Sequence, residues 1–151
     1  MTTFDSIVAL TAATGQLLGA TDWQLVSQQR IRAFAEVTGD HQWIHVDEAR
    51  ARAESPFGGT VAHGAFTLAL VPVFVAELVK VREARMVVNG GLERVRFRSP
   101  VPAGAKVRGV AELLSTDEMT GATRVVARTT VQVSGEPRPA CVADQVLVFH
   151  A

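Results

Sequence analysis

The segment Val61-Ala62-His63-Gly64-Ala65-Phe66-Thr67-Leu68-Ala69-Leu70-Val71-Pro72-Val73-Phe74-Val75-Ala76-Glu77-Leu78-Val79 is apolar on almost every side. A helix of that composition is stable only when protein or lipid surrounds it. The run contains His63, Pro72 and Glu77 and has no aromatic anchors at its ends, which favours a helix at the centre of a protein over a membrane span. Pro72 is expected to kink it or mark a local irregularity, because its ring removes an N–H and crowds the preceding turn.

After Glu83 the periodicity changes from that of a helix to that of strands. Arg94, Arg96 and Arg98 alternate with Val95 and Phe97, as in a half-buried strand. Val107, Gly109, Ala111 and Leu113 continue the alternation, and Val125, Ala127, Thr129, Val131 and Val133 repeat it beyond a turn at Thr120-Gly121. Ser134-Gly135-Glu136-Pro137 turns the chain again into 142–149. Three long strands joined by short turns form an antiparallel meander. A sheet with one apolar face and a helix that is apolar all round bury both surfaces at once if the sheet curls about the helix. The expected class is therefore α+β, a hotdog fold in which a curved antiparallel sheet wraps a long central helix. Such a sheet leaves an edge to cover, and a homodimer is the expected solution.

Upstream of the apolar run the pattern is helical. Ser27 is placed to cap a helix with Ile31, Phe34, Ala35 and Val37 on its buried face, and Gly39 suits the left-handed residue that ends it. Asp47 is placed to cap a second, short helix that Ser55-Pro56 stops. Between the two lies Thr38-Gly39-Asp40-His41-Gln42-Trp43-Ile44-His45, which puts a carboxylate and an imidazole on one connection. An imidazole near its ordinary pKa takes or gives a proton at neutral pH, and a carboxylate can orient it or hold a water. The same spacing equally serves an Asp that closes a turn and a His that makes one structural hydrogen bond, so spacing alone does not decide between the two.

A second segment, Ser55-Pro56-Phe57-Gly58-Gly59-Thr60-Val61-Ala62-His63-Gly64, opens the apolar run. Its glycines free the backbone, and the first helical turn has amides without helical partners that can hold an oxyanion. Gly64, lacking a side chain, allows the closest approach. An ordinary loop and a close helix contact would use the same residues, and His63 reads either as a core histidine or as a bond to the loop.

The remaining composition sets limits. The 151 residues, read as one domain over 1–151, can bury a core without metals or disulfides. With 15 basic and 15 acidic residues there is no long-range pull on nucleic acid. Cys141 is the only cysteine, which excludes an internal disulfide and a cysteine metal cluster, suits a reducing compartment, and reads as a small core residue at a strand start. The beginning of the chain, Met1-Thr2-Thr3-Phe4-Asp5, lacks the pattern of a secretory signal, so the cytoplasm is the expected location. The four histidines form no helical metal-binding pair, and no phosphate loop or dinucleotide fingerprint is present.

The residues 38–45 resemble the Gly-Asp-x-Asn-Pro-(Leu/Ile)-His signature of MaoC-like, (R)-specific enoyl-CoA hydratases. Phe57-Gly58-Gly59-Thr60-Val61-Ala62-His63-Gly64 resembles the loop and central helix that follow it in that family. Gln42 and Trp43 replace the Asn-Pro of many members, a variant that, with Asn89-Gly90-Gly91-Leu92-Glu93-Arg94-Val95-Arg96-Phe97, is similar to the subgroup related to nodulation protein N. The resemblance implies hydration of a trans-2-enoyl thioester to the (R)-3-hydroxyacyl thioester without metal or redox cofactor. It implies that Asp40 and His45 hold and activate the water and that the Gly64 amide polarises the thioester carbonyl. Gln42, Trp43, Phe57, Gly59, His63 and Arg96 are the expected substrate-binding residues, and acyl-CoA is the expected substrate. An acyl-CoA thioesterase and a non-catalytic acyl-thioester-binding subunit are the alternatives, although a binding cleft needs no acid–base pair. Arg94, Arg96 and Arg98 read either as phosphate contacts or as a solvated strand face, which leaves CoA and acyl carrier protein both open.

Overall fold

A computed structural model describes all residues from Met1 to Ala151. In chain order the elements are β1 (Thr2–Phe4), α1 (Ile7–Ala12), β2 (Leu17–Ala20), β3 (Gln24–Leu25), α2 (Gln28–Thr38), α3 (Trp43–Val46) and α4 (Glu48–Glu54). They continue with α5 (Gly64–Ala69), α6 (Val71–Leu78), β4 (Val79–Val81), β5 (Met86–Phe97), β6 (Lys106–Met119), β7 (Ala122–Val133) and β8 (Cys141–His150). The main sheet runs β2-β6-β7-β8-β5, with β3 also on β6, and every pairing in it is antiparallel. The meander β6-β7-β8 has the expected turns, with Gly121 and Gly135 at positive φ. β1 and β4 form a separate parallel pair that the sequence pattern did not reveal.

The caps expected upstream are present. Ser27 Oγ accepts from Arg30 N at 3.2 Å, Gly39 ends α2 at φ 80°, and Asp47 Oδ1 accepts from Arg50 N at 3.0 Å. Ile31 and Ala35 of α2 are fully buried, but Val37, expected beside them, is 85% exposed because nothing packs over the last turn.

The central helix departs from expectation at its start. It begins at Gly64, because Val61 is drawn into a β-bridge with Pro102 and the Ala62 N–H donates to the Val101 carbonyl. The irregularity expected at Pro72 is present as a break into two helices, α5 and α6, abutting at Leu70, which ends one and caps the other. Pro72 sits in the first turn of α6, where its missing N–H would be unpaired in any case.

These two helices lie on the concave face of the sheet and divide the core. Phe66, Leu70, Val71 and Phe74 pack with Val107, Val131 and Cys141 in one cluster. Val75 and Leu78 pack with Ala111, Leu113, Val125 and Leu147 in the other. Phe74 is seated directly on Gly109, where an added Cβ would lie 2.5 Å from the Phe74 side chain. Cys141 opens β8 as a fully buried core residue, and burial pushes its thiol up to about 11. The outcome is the α+β hotdog arrangement. No helix is long and apolar enough to cross a membrane.

β5 corrects another expectation. It is not half-buried. It forms the outer edge of the sheet, interrupted by irregularities at Asn89/Gly91 and Leu92/Arg94, and Met86, Val87, Val88, Leu92 and Phe97 are all exposed. Alternation fixes which residues share a face, but it does not reveal that no strand follows.

Candidate active site

The site grows from the end of α2. Gly39 turns the chain out of the helix, and Asp40 follows on the connection, exposed, with its Oδ1 accepting from the Gln42 N–H at 3.3 Å. The next four residues form the single turn α3, so His45 lies in a turn rather than in open loop as expected. The His45 N–H donates to the Gln42 carbonyl at 3.0 Å, and the side chain turns inward to 7% exposure.

Long-range bonds then fix His45. The Val61 N–H donates to the Ile44 carbonyl at 3.0 Å, and the Val61 carbonyl lies 2.7 Å from His45 Nδ1. A carbonyl only accepts, so Nδ1 carries the hydrogen and Nε2 keeps the lone pair. Gln28 Nε2 donates to the His45 carbonyl at 2.7 Å, while Gln28 Oε1 accepts from Thr60 Oγ1. No sequence signal pointed to Gln28, whose two contacts lie 17 and 32 residues away.

His63 is buried at 2% exposure at the N-terminal boundary of α5, and its ring stacks on His45 with centroids 3.8 Å apart. One ring nitrogen of each histidine and a carboxylate oxygen of Asp40 lie within 4.8 Å of one another. Burial holds the His45 imidazole below its ordinary 6.5. The Val61 carbonyl and Asp40 oppose that shift, and His63 reinforces it. By donor type the trio could hold a cation. Stacked rings, however, send their in-plane lone pairs side by side, whereas a zinc ion needs both directed to one point at about 2.0–2.1 Å. The arrangement suits a water or a proton better.

The amides of Gly64 and Ala65 have no hydrogen-bond partner, whereas those of Phe66 and Thr67 both return to the His63 carbonyl. His45 and Gly64 face one cleft of about 350 Å³, walled by Phe57, Thr67, Phe97 and Val101. A larger apolar cavity of about 420 Å³ lies beside α6 and contains Gln145, but neither a carboxylate nor an imidazole lines it. The candidate site is therefore the smaller cleft.

Of the expected substrate-binding residues, Phe57 lines this cleft and His63 lies behind it. Gln42 contributes its backbone to both Asp40 and His45. Trp43 is covered by the Arg50 guanidinium at 4.3 Å, and neither it nor Gly59 reaches the cleft. Arg96 is not brought there at all. Alternation puts it on the face of β5 opposite Phe97, in a surface depression with Arg94, Arg98 and Arg128. Phe97, Thr67 and Val101 line the cleft without having been foreseen as site residues.

An antiparallel sheet wrapped on a helical segment, with an acid–base cluster beside unpartnered amides, places the chain among the hotdog proteins. Residues 9–135 match the MaoC like domain, and the chain belongs to the MaoC-like dehydratase family. It is 43% identical to 3-hydroxyacyl-thioester dehydratase Z of Mycobacterium tuberculosis, with all of both chains covered. It is also 43% identical to nodulation protein N of Rhizobium leguminosarum bv. viciae, over 96% of this chain and 91% of that one. The unliganded R-hydratase PhaJ1 of Pseudomonas aeruginosa shares the fold at a TM-score of 0.71 and 22% identity, over 91% of this chain and 81% of that one.

Proposed function

We propose that the protein is a hydro-lyase that hydrates trans-2-enoyl-CoA to (R)-3-hydroxyacyl-CoA, and that it catalyses the reverse dehydration by the same route. One observation carries this reading: the Asp40 carboxylate lies beside the ring of His45, and His45 lines one cleft with Gly64, whose amide is unpartnered. The name of the mycobacterial relative, a 3-hydroxyacyl-thioester dehydratase, supports the same chemistry.

In this reading a water is held between Asp40 and His45. His45 Nε2 removes one proton from it as the oxygen bonds to the β carbon. The electron pair of the double bond moves through the α carbon onto the thioester oxygen, where the Gly64 N–H stabilises it by roughly 3–4 kcal/mol. When the carbonyl re-forms, the α carbon takes the proton back from His45, so the atoms of one water are added and both groups return to their starting states. Phe57 is the expected acyl contact, and no metal or redox cofactor enters.

Residues 1–151 are read as one domain, since both core clusters pack on the same helical segment. A homodimer is the proposed state, because the long free edge of β5 presents unpaired backbone groups beside Met86, Val87, Val88 and Leu92.

The test is loss of the enoyl absorbance with crotonyl-CoA and longer trans-2-enoyl-CoAs. Turnover of at least one chain length is expected, and a folded protein inactive on all of them would sink the proposal. Release of free thiol from a saturated acyl-CoA would reassign the site to thioester hydrolysis.

A further inference from the structure

His63 has four features that the reaction above does not use. It is 2% exposed, its Nε2 lies 2.9 Å from the Asp40 carbonyl, its Nδ1 is buried without any partner, and one face of its ring lies on His45. Because the Asp40 carbonyl accepts, Nε2 carries the hydrogen and the orphan Nδ1 keeps a lone pair. An unpaired buried acceptor is costly and is rarely kept without reason. Phe34 packs against the same ring at 4.9 Å between centroids, so His63 touches both an α2 side chain and the reactive imidazole.

We propose that His63 is a positioning residue that tethers the Asp40 main chain and, stacked on His45, holds that ring in the unprotonated state from which the reaction starts. The tether is needed because the Asp40 side chain bonds only to the neighbouring Gln42 amide. The effect on His45 follows from the stack. Two imidazoles in contact cannot both carry a proton cheaply, and each ring's one N–H is already committed to a backbone carbonyl. The titratable groups facing His45 are Asp40 and His63. From α2, Gln28 is neutral and Arg32 is bound to the Val46 carbonyl and Glu48. The cleft wall formed by Phe97 and Val101 has none.

The proposal rests on His45 being the base, so its test has one arm that needs no substrate. Ring-nitrogen NMR of the full chain should show His45 protonated at Nδ1 and His63 at Nε2. In His63→Gln the amide keeps a donor near the Nε2 position while the second imidazole is gone, and the His45 midpoint should rise by about half a pH unit or more. In the kinetic arm, His63→Gln should keep kcat within about tenfold of wild type. His63→Phe, which keeps a ring but no donor, should lose about a hundredfold in kcat with KM within about threefold. An unmoved His45 midpoint in His63→Gln, or wild-type kcat in His63→Phe, overturns the proposal. A wild-type protein that hydrates no thioester overturns the proposed reaction instead, and the NMR arm still decides the role of His63. If His63→Phe does not fold, the glutamine variant carries the decision alone.

Discussion

The ring of Phe97 closes over Gly64, so that a Cβ placed on this glycine would meet the ring edge at 3.2 Å. Phe97 is itself 56% exposed, so it can swing outward. Gly64→Ala should therefore fold with a melting temperature near that of wild type. The methyl group and the displaced ring would stand where the thioester carbonyl must approach the amide. A fall of about tenfold or more in kcat/KM is expected in the hydration assay, and an unchanged value would move the oxyanion contact elsewhere.

Asp40→Asn and His45→Gln each keep size and polarity while removing a proton acceptor. Each should lower kcat by about a hundredfold or more with folding intact by circular dichroism. Because the two groups act on one water, the double variant should be little worse than either single one. Additive losses would show that they serve separate steps.

The pH dependence has a definite sign. His45 must be unprotonated to accept a proton, and burial lowers its pKa from 6.5. Hydration should therefore persist as the pH falls through 6.5 and fail only below it. The same depression acts on stability. The unfolded chain binds a proton at this histidine more readily than the folded chain, so the contribution of His45 is fully present above 6.5 and is withdrawn as the pH falls below it. An acid limb of kcat/KM centred above 6.5 would contradict the assignment.

Gly109 gives a prediction that concerns stability alone. A Cβ there would stand 2.5 Å from the fully buried Phe74, whose own backbone is held in α6 and cannot retreat. Gly109→Ala should destabilise the fold by about 1–3 kcal/mol, read as a lower urea midpoint.

The features legible in the sequence were those set by near neighbours. Ser27, Gly39 and Asp47 act within three or four residues of themselves, and the alternation in β6, β7 and β8 follows from the pleat alone. Partners far along the chain decided the rest. Val61 left the helical run because Pro102 pairs with it, and β1 and β3 were too short to show a period. β5 alternates as expected, but its exposure depends on the absence of a further strand. That same alternation separates Arg96 from Phe97, but it could not tell which of the two faces the cleft. For the site, Asp40, His45 and Gly64 stood out by residue type, but their spacing left a structural role equally open, and only the family resemblance implied a task for each. The grip of Gln28 on His45 and the stack of His63 on the same ring join α2, α3 and the start of α5, and no local pattern records them.

α3 has four residues, too few to hold a helical turn in water unaided. Its imidazole faces the cleft because a column of rings stands behind it: His45 on His63, His63 against Phe34, Phe34 on Phe66, with the Arg30 guanidinium over Phe66 at 5.3 Å. The orientation of the His45 ring is thus supplied by residues from α2 and the start of α5, not by the turn that bears it. A peptide spanning the Asp40–His45 motif contains both side chains but would not hold them in place, so the proposed site exists only in the assembled chain.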